Sequence, residues 1–198
     1  PGYAEDITKL DNEVITIETF LSPKLLTLRP EINIDEVKKN LVPDQVQVGV
    51  AFGYSMPIYA ANHEELHFKQ HVLHRWDEAS NIRSKIIVCL ANAEDIGDKF
   101  KFQLSWAHTP QDDVIPVTSH DVEIEQAVLT GRNAQYSVYV LTFTLDYDID
   151  GEGNEVKSGE TLNVRLRRIA AAAPQVANEI IVLDWIVEYK RDKFGVAF

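Results

Sequence analysis

Apolar and polar residues alternate with a period of two through much of the chain. Val46, Val48, Val50 and Phe52 share one side of the run VQVGVAF, with Gln47, Gly49 and Ala51 between them. Phe100, Phe102, Leu104 and Trp106 do the same in KFKFQLSWAH. So do Leu162, Val164 and Leu166 in TLNVRLRR, where Asn163, Arg165 and Arg167 would face water. This period marks strands with one buried face. In the run from Val138 to Leu145 both sets are fairly apolar: Val138, Val140, Thr142 and Thr144 alternate with Tyr139, Leu141, Phe143 and Leu145. That pattern predicts a central strand covered on both faces. KIIVCL and EIIVLDWIVEY, rich in Ile, Val, Trp and Tyr, add two further strands.

Turn residues separate these runs: Gly97-Asp98, the stretch from Thr109 to Pro116, Gly131-Arg132-Asn133, and Asp150-Gly151-Glu152-Gly153-Asn154. Only NIDEVKKNLVP predicts a helix, with Asp35 as cap, Val37 and Leu41 on one face and Pro43 at the end. RIAAAAPQVANE, from Arg168 to Glu179, is interrupted by Pro174 and reads as a loop with one helical turn at most. Strands that recur without long helical patterns predict an all-β antiparallel β-sandwich. Residues 1 to about 60 differ in texture, with short apolar pieces punctuated by Pro23, Pro30, Pro43 and Pro57. Two readings are open: an extended arm on the body or a neighbouring subunit, or the first strands of the sandwich. We divide the chain into an arm, residues 1–45, and a sandwich, residues 46–198.

Composition narrows the partners. The chain has 198 residues, with 45% hydrophobic and 25% charged, and these values are those of a folded protein. The net charge of -12 speaks against nucleic acid, whose phosphates need clustered Lys and Arg, and against an anionic membrane surface. One cysteine, Cys89, excludes an intrachain disulfide and a cysteine-rich zinc module. No apolar run approaches the roughly 20 residues of a membrane-spanning helix. The opening PGYAEDITKLDNE does not read as a secretory signal.

Two motifs offer chemistry. His63-Glu64-Glu65-Leu66-His67 has the H-e-x-x-h spacing of a zinc metallopeptidase, in which two histidines on one helix face hold the metal and Glu64 is the base. From Leu66 onward, however, the alternation is that of a strand, where His63 and His67 lie about 13 Å apart, too far for one zinc. His71 and His74 supply no third ligand in a recognisable frame. We therefore expect strand histidines rather than a metal site. Asp146, Asp148 and Asp150, followed by Gly151, match the first half of a calcium loop, but position twelve is Lys157 instead of a bidentate Glu. A hairpin turn is the favoured reading, with an irregular calcium site on those three aspartates as the weaker one. Cys89 lies inside an apolar strand, where a thiol packs. Trp76, Trp106 and Trp185 fall in or beside strands, where two readings are open: a stacking platform for sugars and, as is commoner for strand tryptophans, a place in the core. No catalytic residue and no cofactor is expected.

Three segments together resemble a family. His74-Arg75-Trp76-Asp77-Glu78-Ala79-Ser80-Asn81-Ile82 is similar to a histidine–any–tryptophan step, polar loop and isoleucine of jelly-roll structural proteins from tailed bacteriophages. Val182 to Gly195, VLDWIVEYKRDKFG, resembles their closing strand and charged turn, and Leu162 to Arg168 the strand with an arginine pair before it. The resemblance spans about residues 66–195. The chain departs where the family often has further histidines, at Lys85, Ile87 and Val88, and in ending Val196-Ala197-Phe198. It implies a jelly-roll-type sandwich and a virion location. The implied role is non-enzymatic: a head decoration or cement protein that binds the major capsid protein or other virion proteins and itself, as a trimer. The alternative is a carbohydrate-binding sandwich of a host-attachment fibre.

Overall fold

The computed structural model describes residues 25–28, 43–58, 64–72, 76–77, 80–110, 114, 119–146 and 156–190. Among them are ten strands and no helix: β1 Leu25–Leu28, β2 Gln45–Val48, β3 Ala51–Met56, β4 Leu66–His71, β5 Ile82–Leu90, β6 Lys99–Thr109, β7 His120–Ala127, β8 Val138–Leu145, β9 Thr161–Ile169 and β10 Ile180–Lys190. They form two antiparallel sheets. One runs β2-β3-β10-β5-β8, with β1 also on β10, and the other runs β4-β9-β6-β7. The orders β3-β10-β5-β8 and β4-β9-β6-β7 are those of a jelly roll, two interleaved Greek keys folded into facing sheets. The protein is an all-β jelly-roll sandwich, as the alternation and the resemblance predict. The predicted helix, apart from its last residue Pro43, lies outside the described residues, as do His63, His74, Asp148 and Asp150.

Every strand of the jelly roll puts its alternating apolar set between the sheets. Phe100, Phe102, Leu104 and Trp106 of β6 face Tyr139, Leu141, Phe143 and Leu145 of β8 and the inward residues of β5 and β10, all buried. Trp76, Trp106 and Trp185 are all core residues, and Phe68 meets Trp185 with ring centroids 4.6 Å apart. Each such side chain contributes roughly 1.5–3 kcal/mol by leaving water.

β10 solves a parity problem. Ile180 and Val182 point inward, so strict alternation would turn Asp184 into the core and Trp185 out of it. The pairing with β5 instead shifts register between Val182 and Asp184. This bulge at Leu183 resets the parity, so Trp185, Val187 and Tyr189 point inward and are buried. The Asp184 carboxylate accepts the Trp185 backbone N–H at 2.9 Å, and the Trp185 indole N–H donates to Ser84 Oγ at 2.6 Å. Gly53 of β3 lies against the bulge. A Cβ there would stand 2.5 Å from Ile181 Cγ2, 2.7 Å from the Val182 carbonyl oxygen and 3.0 Å from Leu183 Cδ2.

Two expectations need correction. VQVGVAF is not one strand: β2 and β3 form a hairpin with Val48 opposite Ala51. The turn is Gly49-Val50, with Gly49 at φ 62° and Val50 99% exposed. A two-residue hairpin needs positive φ at its first position, which glycine supplies. β8 is not central either. It ends its sheet, and Val138 and Val140 are 46% and 53% exposed. The stretch after β9 contains no helical turn and is held by a bridge between Gln175 and Lys99. β1 pairs antiparallel with the far end of β10, Leu25 opposite Lys190 and Leu28 opposite Val187. β3 takes the near end of that same edge, Met56 opposite Ile180.

Candidate functional site

The four-stranded sheet turns a polar face outward. Its register makes rows across β4, β9, β6 and β7. His67, Arg165, Ser105 and Asp121 form one row, and Arg167, Gln103 and Glu123 the next. Gln103 sits at the crossing. Its amide donates to Asp121 and Glu123, each at 3.1 Å, and its oxygen accepts from Arg167 Nε at 2.5 Å. Arg165 donates to Ser105 Oγ at 3.1 Å. Glu65, just before β4, is a buried carboxylate 3.6 Å from Arg165, 3.9 Å from Arg167 and 3.4 Å from His67. Lys101 pairs with Glu123 at 2.5 Å and Lys99 with Glu125 at 3.4 Å. The Ala172 backbone N–H, aided by Lys99, holds the Glu125 carboxyl below the usual carboxylate range. These groups use one another as partners, and the described outward positions of the four strands carry no Phe, Trp or Tyr.

At one end of the sandwich the His108 imidazole N–H donates to the buried Glu160 carboxylate at 2.8 Å, which also accepts the Lys157 backbone N–H at 2.9 Å. Thr161 and His71 meet beside it at 3.1 Å. At the other end Arg168 is buried, and its guanidinium donates to the carbonyls of Asn178 at 2.6 Å, Val176 at 2.8 Å and Met56 at 3.3 Å. Burial pulls its pKa down to about 10. Close by, Ser55 hydrogen-bonds Glu179, and partial burial, then Asp44 and Glu179, raise the Glu64 carboxyl above its usual value.

The motif residues fall as follows. His67 is on a strand, with Leu66 and Phe68 buried on either side of it, and its nearest partner is Glu65. Asp146 is exposed just past β8. Cys89 is buried and its thiol is pushed up to about 11 by burial. The segments that carry the resemblance adjoin. The Trp76 indole donates to Ser80 at 3.1 Å, Asp77 N donates to the Lys190 carbonyl at 2.8 Å, and Lys190 Nζ lies 2.9 Å from the Asp77 carboxylate. The loop after the tryptophan is thus tied to the closing strand. Sequence reading singled out neither Glu65 nor the Gln103 lattice. The signal was the acid alternation of HDVEIEQA against the lysines of KFKFQL, which becomes a lattice only once the strands are paired.

The six-stranded sheet has a different outer face. Ile181, Cys89 and Val138 form one row, and Asp184, Ile87 and Val140 the next. Lys85 and Arg83 follow, opposite Thr142 and Thr144, and Lys85 pairs with Glu188 at 2.5 Å. Exposed apolar side chains stand at both ends of this sheet: Val138 and Val140 on β8, and Val50 and Phe52 at the β2–β3 hairpin.

No protein-family model and no curated protein matches the chain. Among solved structures, a xylan-binding module CBM15 superposes with a TM-score of 0.45 at 8% identity, over 86% of this chain and 99% of that one. A family GH115 4-O-methyl-alpha-glucuronidase gives 0.39 at 10% identity, over 84% of this chain and 18% of that one. Latent PorU from Porphyromonas gingivalis gives 0.35 at 7% identity, over 86% and 13%. At that level of superposition none of them assigns a substrate or partner to this chain.

Proposed function

We propose that the chain is a non-enzymatic structural subunit of a tailed-phage virion, a head decoration or cement protein that binds copies of itself and the capsid. The observation that carries this reading is the contrast between the outer faces. On the four-stranded sheet the polar groups are bonded to each other, and the side chains that would stack on a sugar ring are not among its described outward positions. On the six-stranded sheet an apolar margin, Val138 and Val140, is left to solvent. Such a margin suits protein contact better than small-molecule chemistry. The order of the phage-like motifs, and their meeting at Asp77 and Lys190, supports the virion part. The -12 charge keeps a densely displayed subunit soluble.

Immunogold labelling of particles from a lysate of the host that carries the gene tests the reading. Label on heads at regular density is the expected result. Unlabelled particles, together with selective binding of the purified protein to one glycan on an array, would replace it with the saccharide-binding alternative.

A further inference from the structure

We propose that β8 is a two-fold seam, at which the β8 strands of two copies pair antiparallel and join their six-stranded sheets edge to edge. The inference rests on the assembling-subunit reading and names the surface and the partner. Among the described residues β8 is hydrogen-bonded only to β5. β7 approaches it where the two sheets meet but makes no backbone ladder with it, so the other edge of β8 has no paired strand. Natural edges are protected by charge, proline or bulges. β7 conforms, with Asp121, Glu123 and Glu125 along its eight residues. β4 carries Lys69 between two histidines, and β2 is only four residues long. β8 has eight residues, Val-Tyr-Val-Leu-Thr-Phe-Thr-Leu, with no charge, no proline and no glycine.

The order of residue types in β8 selects a second copy as the occupant. From Val138 to Thr144 the strand reads the same in both directions by class: β-branched, aromatic, β-branched, leucine, β-branched, aromatic, β-branched. An antiparallel pair centred on Leu141 therefore sets Val140 opposite Thr142 and Val138 opposite Thr144 on the outer face. On the inner face it sets Tyr139 opposite Phe143, and Leu141 opposite itself. β-branched and aromatic cross-strand pairs are the favoured ones, and a two-fold contact requires such self-complementarity. Charge agrees. Each copy carries -12, yet no ionised group lies on β8. The rows place Lys85 and Arg83 of one copy in line with Ile87 and Cys89 of the other, so no charge meets a like charge.

The test uses the full chain and multi-angle light scattering. The wild type is expected at an even multiple of 22.4 kDa. Val140→Lys with Thr142→Lys places lysine opposite lysine twice, and the mass is expected to halve with the melting transition retained. Both positions are exposed, so the core is untouched. Should that variant melt early, a mixture of single variants carries the test: Val140→Lys chains with Thr142→Glu chains pair, while Val140→Lys chains with Thr142→Lys chains do not, because 140 faces 142. Glu123→Lys on β7 leaves the mass unchanged. A wild type that stays monomeric at its highest soluble concentration overturns the seam, and particle labelling then decides the structural-subunit reading by itself. An oligomer unmoved by Val140→Lys with Thr142→Lys, a trimer included, also overturns the seam but leaves that reading standing.

Discussion

Gly53→Ala separates two physical effects by sign. At a position whose backbone suits any residue, replacing glycine with alanine stabilises by about 0.4–1 kcal/mol, because the unfolded chain loses freedom. Gly53 lies in a strand and has no positive φ, so propensity alone predicts a gain. Packing predicts the reverse. The new Cβ meets Ile181 Cγ2 at 2.5 Å and the Val182 carbonyl oxygen at 2.7 Å. The isoleucine is β-branched and stiff, and the carbonyl is backbone, so neither yields without moving β10. Relief requires β3 to withdraw where Tyr54 pairs with Val182 and Ser55 with Ile181. Overpacking of this kind costs about 1–3 kcal/mol. Less the propensity gain, the net loss is roughly 1–2 kcal/mol, or about 3–6 °C in melting temperature for a domain of this size. Urea denaturation with matched m-values gives the free energy, and amide exchange at Tyr54 and Ser55 locates it. A Gly53→Ala protein as stable as the wild type would refute the argument, since the close approach at the bulge would then carry no cost. Gly49 is the control. Its φ of 62° strains any side chain, but open space surrounds it, so Gly49→Asn, which tolerates that φ, costs little.

Arg168→Met removes the donor from the Val176 and Asn178 carbonyls, at roughly 1–3 kcal/mol for each orphaned acceptor. Relief of the buried charge offsets part of this, so a net loss of about 2 kcal/mol is expected, with faster hydrogen exchange at the Val176 and Lys99 amides. Glu64→Gln is expected to stabilise the protein at pH 7. The folded carboxyl titrates above the usual 4.5, so the folded state binds the proton more tightly and stability falls as pH rises from 4.5 through the folded pKa. The gain from glutamine therefore disappears below pH 4.5, and thermal melts at pH 7 and pH 3.5 check it. A chain beginning at Gln45 keeps all eight jelly-roll strands, β3 to β10. It should melt cooperatively and lose particle binding, and a molten product would assign residues 1–45 to the core.

The fold was legible because one face of most strands is apolar and the other charged, as in KFKFQLSW and TLNVRLRR. Period-two alternation reports which residues share a side. It does not report whether that side meets a second sheet. Val138 and Val140 therefore predicted a covered strand, although the structure leaves them at an edge. Gly49 was visible inside VQVGVAF, and its break in an otherwise β-branched run is what marks the hairpin. The bulge at Leu183 is encoded as a change of parity between Ile180-Val182 and Trp185-Tyr189, which a single-period reading passes over. The lattice around Gln103 was invisible for another reason. Its members lie in four separate stretches of sequence, and only strand register brings them together.

Cys89 lies on the outer side of the six-stranded sheet, in the row between Ile181 and Val138, and is nonetheless shielded from solvent. With its thiol near 11, only about one molecule in a thousand would carry a thiolate at pH 8. A maleimide or disulfide reagent must therefore wait for the groups that cover this face of β5 to move aside. The chain has no other cysteine, so each labelling event records one kind of opening. The native sequence thus holds a built-in stopwatch for the six-stranded sheet, readable by mass without introducing any probe.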